Sequence, residues 1–415
     1  MSASNEILME NQFCYSKEKI RMAIFSFFFA QGLCMSSWAS RIPYFKELFA
    51  KDYAFYWGLI LFMIPVGKFI AIPLAGYLVS RSGSRRIVQL SIIGYALSLW
   101  GIGMASQVYL LGILLFSFGV FWNLCDISFN TQGIEVERIY GKTIMATFHG
   151  GWSLGACTGA LIGFIMILLD ITPVFHFLLI TALIICIVLW KRQYLQDSKE
   201  LQKCKPVEVA SEKAKTRKLF FKPETLLLQL GLVGLFALII ESAMFDWSAV
   251  YFESVVHAPK SLQIGFLVFM IMMTIGRFST NYAYRLFGKK TVLQIAGSLI
   301  FIGFFLSALL GNAIESTLWK VIINSLGFML VGLGISCIVP TLYSFVGDKS
   351  KTPIGIALTI LSSISFIGSL IAPLLIGAIS QLSDIRIAYL LIGLLGGCIV
   401  AMTNCRVFQS SKTEQ

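Results

Sequence analysis

Long apolar stretches recur along the whole chain, each close to the thickness of a bilayer, and short polar turns separate them. Twelve can be read: 19–42, 54–79, 87–105, 108–133, 143–169, 172–190, 225–250, 261–284, 291–311, 318–343, 353–380 and 385–405. About 20 apolar residues, rising about 1.5 Å each, cross a hydrocarbon core of about 30 Å. Backbone polar groups in lipid must be satisfied within their own segment, so these runs predict helices, and no alternating pattern points to a barrel. Only Ser106 and Gln107 separate segments 3 and 4, and segments 5 and 6 turn at Asp170-Ile171-Thr172-Pro173. Lys191 to Glu224 is the one long hydrophilic interruption. So short a stretch buries no useful core. It predicts a linker, with six helices in 1–190 and six in 225–415.

Composition sharpens this picture. The chain is 57% hydrophobic and 13% charged, about half the charge of a soluble domain at about 25%, and its mean hydropathy is +0.80. A soluble enzyme, a disordered scaffold and a secreted disulfide protein are excluded. The fold class expected is an all-α polytopic membrane protein. The net charge of +12 does not call for nucleic acid, because of where the basic residues fall. Loops on the side of the N-terminus hold Arg81, Arg85, Arg86, Arg138, Lys142, Arg285, Lys289, Lys290, Lys349 and Lys351. The opposite side holds Arg41, Lys46, Lys51, Lys260, Lys320 and Arg386, and the linker adds ten basic residues against five acids. Basic residues concentrate in cytoplasmic loops, so both termini and the linker are expected in the cytoplasm. Nine cysteines without a Cys-x-x-Cys spacing read as small buried hydrophobes, not as a disulfide or metal framework. The first apolar run, 20–38, is too long for a signal peptide and reads as a retained span.

Ionisable residues inside spans are costly and mark function. Asp126, Glu241 and Asp246 are the acids clearly within spans; Lys68 and Arg277 are the bases, with Arg41 at a span's outer end. Glu241 has no basic neighbour in sequence and is the first candidate for substrate or proton binding. Asp126 is the second, with Asn130 one turn away on the same face and His149 at a similar depth on the next segment. The alternative for Asp126 and His149 is a clasp between segments 4 and 5, with Glu135, Glu137 and Arg138 in a gate network. Lys68 is a candidate for an anionic substrate group or a structural pair, and Arg277 is expected to be structural. Gly151, Gly155 and Gly159 predict close helix packing, and Pro340, Pro353 and Pro373 predict bends in segments 10 and 11. There is no GxxxxGK[ST] phosphate loop, and the three histidines assemble no triad or metal site. No cofactor and no enzymatic activity are expected.

The two halves echo each other. Gly76-Tyr77-Leu78-Val79-Ser80-Arg81-Ser82-Gly83-Ser84-Arg85-Arg86 follows segment 2, and Asn281-Tyr282-Ala283-Tyr284-Arg285-Leu286-Phe287-Gly288-Lys289-Lys290 follows segment 8 at an offset of 205. This six-plus-six layout resembles the major facilitator superfamily, whose two parallel halves surround a midplane site. Gly76, Arg81, Gly83, Arg85 and Arg86 match its loop motif, with Ser80 where that family usually has Asp. Asp126-Ile127-Ser128-Phe129-Asn130-Thr131-Gln132-Gly133, Phe148-His149-Gly150-Gly151-Trp152, Trp38-Ala39-Ser40-Arg41-Ile42-Pro43 and Glu241…Asp246-Trp247 are similar to the YbjJ-type bacterial transporters, relatives of the fucose permease branch. The resemblance implies a monomeric secondary transporter of the bacterial inner membrane, moving a small solute and coupled to protons. It implies that Arg81, Arg85 and Arg86 belong to the cytoplasmic gate, that Arg41 and Asp246 pair to close the outer gate or else that Arg41 snorkels to the interface while Asp246 caps its helix end, and that Trp38 and Trp152 line the cavity or anchor at the lipid interface. Efflux of amphipathic compounds and a non-transporting receptor are the other classes these residues allow.

Overall fold

A computed structural model describes residues 15–140, 144–196, 224–352 and 354–404. Most of the linker, together with Lys142, Pro353, Cys14, Cys204 and Cys405, lies outside them, and so does the side chain of Arg138. Every element among the described residues is helical. Six helices come first: α1 (Lys17–Ala50), α2 (Ala54–Ser82), α3 (Ser84–Gly103), α4 (Val108–Tyr140), α5 (Met145–Leu168) and α6 (Pro173–Lys191). Five follow the linker: α7 (Thr225–Ser254), α8 (Gly265–Ala308), α9 (Thr317–Lys349), α10 (Ile354–Leu382) and α11 (Ile385–Met402). All eleven are long and apolar enough to cross a membrane.

The count differs from the twelve segments of the sequence pattern at one place. Segments 8 and 9 are joined in α8, whose 44 residues would reach about 66 Å if straight, twice a hydrocarbon core. Gly288 breaks the helix there with φ 75° and ψ 155°. Its counterpart 205 positions earlier, Gly83, has φ 81° and ψ 147° and separates α2 from α3. Both conformations lie at positive φ, which glycine adopts without the strain a Cβ brings. One residue therefore makes the turn that a loop makes elsewhere, and nothing between segments 8 and 9 ends the helical hydrogen bonding for longer than that.

Successive helices run in opposite directions. Residues 83, 144, 192–194, 288 and 350 gather at one end of the bundle, called here the basic end, and the turns at 51–53, 104–107, 169–172, 255–264 and 383–384 gather at the far end. Within the first six helices α1 packs on α5, α2 on α4, and α3 on α4 and α6; after the linker α7 packs on α10, and α8 on α9 and α11. Across the chain α2 meets α10, α5 meets α8, and α1 meets α7. The glycine stripe on α5 permits the closest of these approaches. A Cβ on Gly155 would lie 2.0 Å from the carbonyl oxygen of Phe29, and one on Gly159 2.5 Å from that of Leu33, so the expected close packing is present. Pro340 and Pro373 lie inside α9 and α10. The outer surface is apolar, with Phe69, Ile113, Leu169, Phe278 and Trp190 each more than half exposed. Charged side chains at mid-span, Lys68, Asp126, Glu241, Asp246 and Arg277, point into the bundle instead, the inverse of a soluble protein and the arrangement lipid requires.

Candidate functional site

Near mid-length of six spans and in the first third of α5, a cavity of about 250 Å³ collects the ionisable residues of the spans. Helical spacing aims each one. Glu241, Ser242, Phe245 and Asp246 recur at the three- and four-residue intervals of one face of α7, and Leu61, Ile64, Pro65 and Lys68 do the same on α2. Trp122 and Asp126 come from α4, His149 and Trp152 from α5, Gln31 from α1, Arg277 from α8, and Phe366 and Ser369 from α10. Two bases thus face three carboxylates across a small space, with a histidine at its edge.

The charges fall into two groups. In the first, Arg277 Nη2 donates to Glu241 Oε1 at 3.3 Å, Nη1 donates to Ser153 Oγ at 2.8 Å, and the guanidinium lies 5.1 Å from the Trp152 ring centre. In the second, Lys68 Nζ stands 3.7 Å from the centre of the Trp122 ring, a cation–π contact. The charges of Asp126, Glu241 and Asp246 all act on it. Asp126 lies one turn beyond Trp122 on α4, and its Oδ1 accepts from Gln31 Nε2 at 2.6 Å. Phe28 packs edge-on to His149 at 5.3 Å. Phe245 meets Trp152 at 6.1 Å and Phe266 at 5.6 Å.

Phe266 also lines a second, larger depression of about 590 Å³ at the far end, with Arg41, Tyr44, Asp170, Glu253, Lys260 and Gln263. The Phe245–Phe266 pair therefore stands between this vestibule and the charged cavity. The vestibule is bigger, but the cavity gathers three carboxylates and two bases from within the spans, which makes it the candidate site. At the vestibule Lys260 on the α7–α8 connection pairs with Asp170 on the α5–α6 turn. The backbone N–H of Phe55 at the start of α2 donates to Gln381 Oε1 near the end of α10 at 3.5 Å.

Several of the residues singled out in the sequence line the cavity: Glu241, Asp126, His149, Trp152 and Lys68. Others do not. Arg41 and Asp246 form no pair. The Arg41 side chain turns within the first six helices, donating from Nε to His176 Nδ1 at 3.2 Å and from Nη2 to the Ile171 carbonyl at 2.7 Å, whereas Asp246 faces the cavity. Trp38 does not line this cavity; it is fully buried and packs against Phe45 at 5.4 Å. Asn130 points along its own helix and donates to the Asp126 carbonyl at 2.7 Å. Glu241 is not alone, because α8 supplies Arg277, read from sequence as structural. Asp126 takes its hydrogen bond from Gln31, not from His149. The clasp between segments 4 and 5 is instead Glu137, whose Oε1 accepts from the backbone N–H groups of Ile144 and Met145 at 2.7 and 2.8 Å and so caps the start of α5. At the basic end Arg81 donates to Tyr77 Oη at 2.5 Å, Arg85 is half-buried and Arg86 is exposed.

Gln31 and Ser153 were missed in the sequence. The available signal was an amide interrupting the apolar run Phe25–Leu33, but periodicity names a face and not a partner.

The Major Facilitator Superfamily family model matches residues 27–355. An MFS-type transporter of Yersinia pestis is 30% identical over 376 residues, covering 90% of this chain and 91% of its own length. Among solved structures, a D-xylose–proton symporter has a TM-score of 0.72 at 11% identity and covers 93% of this chain and 97% of its own. The nucleoside transporter NupG has a TM-score of 0.70 at 13% identity, covering 93% and 100%. At such identities the structures speak for the fold, and the family model and the Yersinia relative speak for membership. A helical bundle with charges turned inward, matched over most of its length by that family, is a transporter and not an enzyme: the chain belongs to the Major Facilitator Superfamily.

Proposed function

We propose that this protein is a secondary active transporter that carries a small polar solute across the bacterial inner membrane by alternating access, driven by protons. The observation that carries the reading is the cavity of about 250 Å³ with three carboxylates, two bases and two tryptophans at mid-depth. Its size sits just below the roughly 300–1,000 Å³ of ligand sites, which suits a solute of monosaccharide dimensions. Its lining charges favour hydroxyls and other polar groups over an amphipathic drug. Residues 1–190 and 225–415 act as two rocking halves joined by the cytoplasmic linker 191–224, and both termini are cytoplasmic. Glu241 and Asp126 serve as coupling or substrate-binding carboxylates. His149, Trp152 and Lys68 hold the solute, and Trp122 and Arg277 support them. The Phe245–Phe266 layer and the Lys260–Asp170 tie close the far side, and Arg81, Arg85 and Arg86 belong to the gate at the basic end.

Uptake into proteoliposomes tests this, with a panel of pentoses, hexoses and nucleosides, the classes named by the structural neighbours. One member should accumulate under a pH gradient and exchange without one. Failure to move any polar member, alongside movement of amphipathic cations, would overturn the reading in favour of efflux. A reporter fused at residue 205 should be active on the cytoplasmic side.

A further inference from the structure

Two bases cannot neutralise three carboxylates, and the cavity gives each base its own place. Arg277 is occupied by Glu241 at 3.3 Å. Lys68 is left for both Asp126 and Asp246, and for each of these it is the base whose charge acts on it. These acids come from opposite parts of the chain, Asp126 from α4 and Asp246 from α7, and both line the same cavity as Lys68 on α2, whose ammonium rests over Trp122 and is in salt-bridge contact with neither. A buried carboxylate without a counter-charge carries its full desolvation penalty, whereas its protonated form does not.

We propose that Asp126 and Asp246 share Lys68 and that the three together hold one exchangeable proton, resident on Asp246 in this conformation. The location follows from Gln31, whose Nε2 donates to Asp126 Oδ1 at 2.6 Å and favours the ionised form of Asp126, while no such donor serves Asp246 among the described residues. The other ionisable groups around Asp246 are few. They are Glu241 on its own helix, His149 on α5, Arg277 on α8 and the Tyr389 hydroxyl on α11, which donates to the Ala243 carbonyl. The α1 and α10 residues lining the cavity, Gln31 and Ser369 among them, carry no charge. Resting on the alternating-access reading, the inference adds that rocking of the halves brings Lys68 up to Asp246. The proton then passes from the Asp246 carboxyl oxygen to the Asp126 carboxylate, leaving Asp246 ionised and neutralised by Lys68. This assigns Asp246 a proton-carrying role in place of the gate expected from the sequence.

Proton binding can be read without a substrate. Infrared difference spectra of the purified protein at neutral pH report the protonated carboxyl C=O band, to which exposed acids do not contribute because they are ionised there. Wild type should show one such exchangeable group. Asp246→Asn and Asp126→Asn should each abolish it, since Lys68 then serves a single acid. Glu241→Gln should keep it. Lys68→Gln should raise it to two, and Gln31→Leu should move its titration midpoint to higher pH. Survival of the band in Asp246→Asn, or its loss in Glu241→Gln, overturns the proposal. If Asp246→Asn does not fold, an unchanged band in Lys68→Gln overturns it equally. Loss of transport in the panel assay with the band pattern intact would refute the transport reading and leave the proton site standing.

Discussion

Glu241 and Arg277 illustrate what a buried charge demands of its neighbours. Both side chains are about one-fifth exposed, 20% and 22%, and they meet at 3.3 Å. Removing one partner leaves the other with its desolvation cost, about 3 kcal/mol or more for a buried pair, and rather less here because the cavity admits water. Arg277→Gln should therefore lower thermal stability in detergent, and adding Glu241→Gln should recover part of the loss. If the double variant melts no higher than Arg277→Gln alone, the pair does not stabilise the fold. Lys68 makes a different demand. Its ammonium is held over Trp122, so Trp122→Leu should weaken solute exchange at least about tenfold if that contact contributes the 1.4 kcal/mol or more of a desolvated cation–π pair. Exchange at the wild-type rate would count against Lys68 as part of the solute site.

Among the elements, the breaks matter as much as the helices. Gly288 has open space around the position of a Cβ, so any cost of Gly288→Ala comes from its φ of 75° alone. Such a residue at positive φ costs about 1–3 kcal/mol, and a lowered melting temperature without loss of the Lys289–Asp348 pair at 2.5 Å is expected. A neutral Gly288→Ala would show that the bend is set by neighbouring contacts. Glu224, just before α7, reaches the α9–α10 connection: its Oε1 accepts from Thr352 Oγ1 at 2.7 Å. That hydroxyl, with the backbone donors beside it, holds the Glu224 carboxyl below its ordinary range. Because the folded-state value is depressed, the stabilisation is present at neutral pH and is lost as pH falls through that value. The melting difference between wild type and Glu224→Gln should accordingly shrink on acidification. A pH-independent difference would remove the ionised carboxylate from the explanation.

At the scale of the whole molecule, the first six helices and the later five touch where motion between them would have to occur. Phe55 meets Gln381 at the far end, close to where a Cβ on Gly58 would lie 2.5 Å from the Pro373 carbonyl oxygen. The Lys260–Asp170 pair lies at the same end. Being exposed, it is worth at most about 1 kcal/mol, so in the proposed cycle it would hold this end closed less than the tight backbone packing beside it. A cysteine pair at 55 and 381, in a background without the native cysteines, should crosslink and stop uptake until it is reduced. Full uptake in the crosslinked protein would mean that the far end does not open during the cycle.

Apolar run length and the rule that lipid leaves no backbone group unsatisfied were enough, from the sequence by itself, to determine the helical membrane fold and the helix positions. The 205-residue echo located both glycine breaks, Gly83 and Gly288. Charge inside apolar runs also picked out Asp126, Glu241 and Lys68, with His149 at a similar depth, since polar residues in such runs must turn inward, and the family resemblance added Trp152. Tertiary structure alone decided the partners. Arg277 reaches Glu241 from another helix, Gln31 reaches Asp126 across 95 positions, Arg41 finds His176 and not Asp246, and Trp38 is buried away from the cavity. Spacing along a helix fixes direction around its own axis, whereas a charge is neutralised by whatever the packing of other helices brings within a few ångströms, and no local pattern encodes that distance.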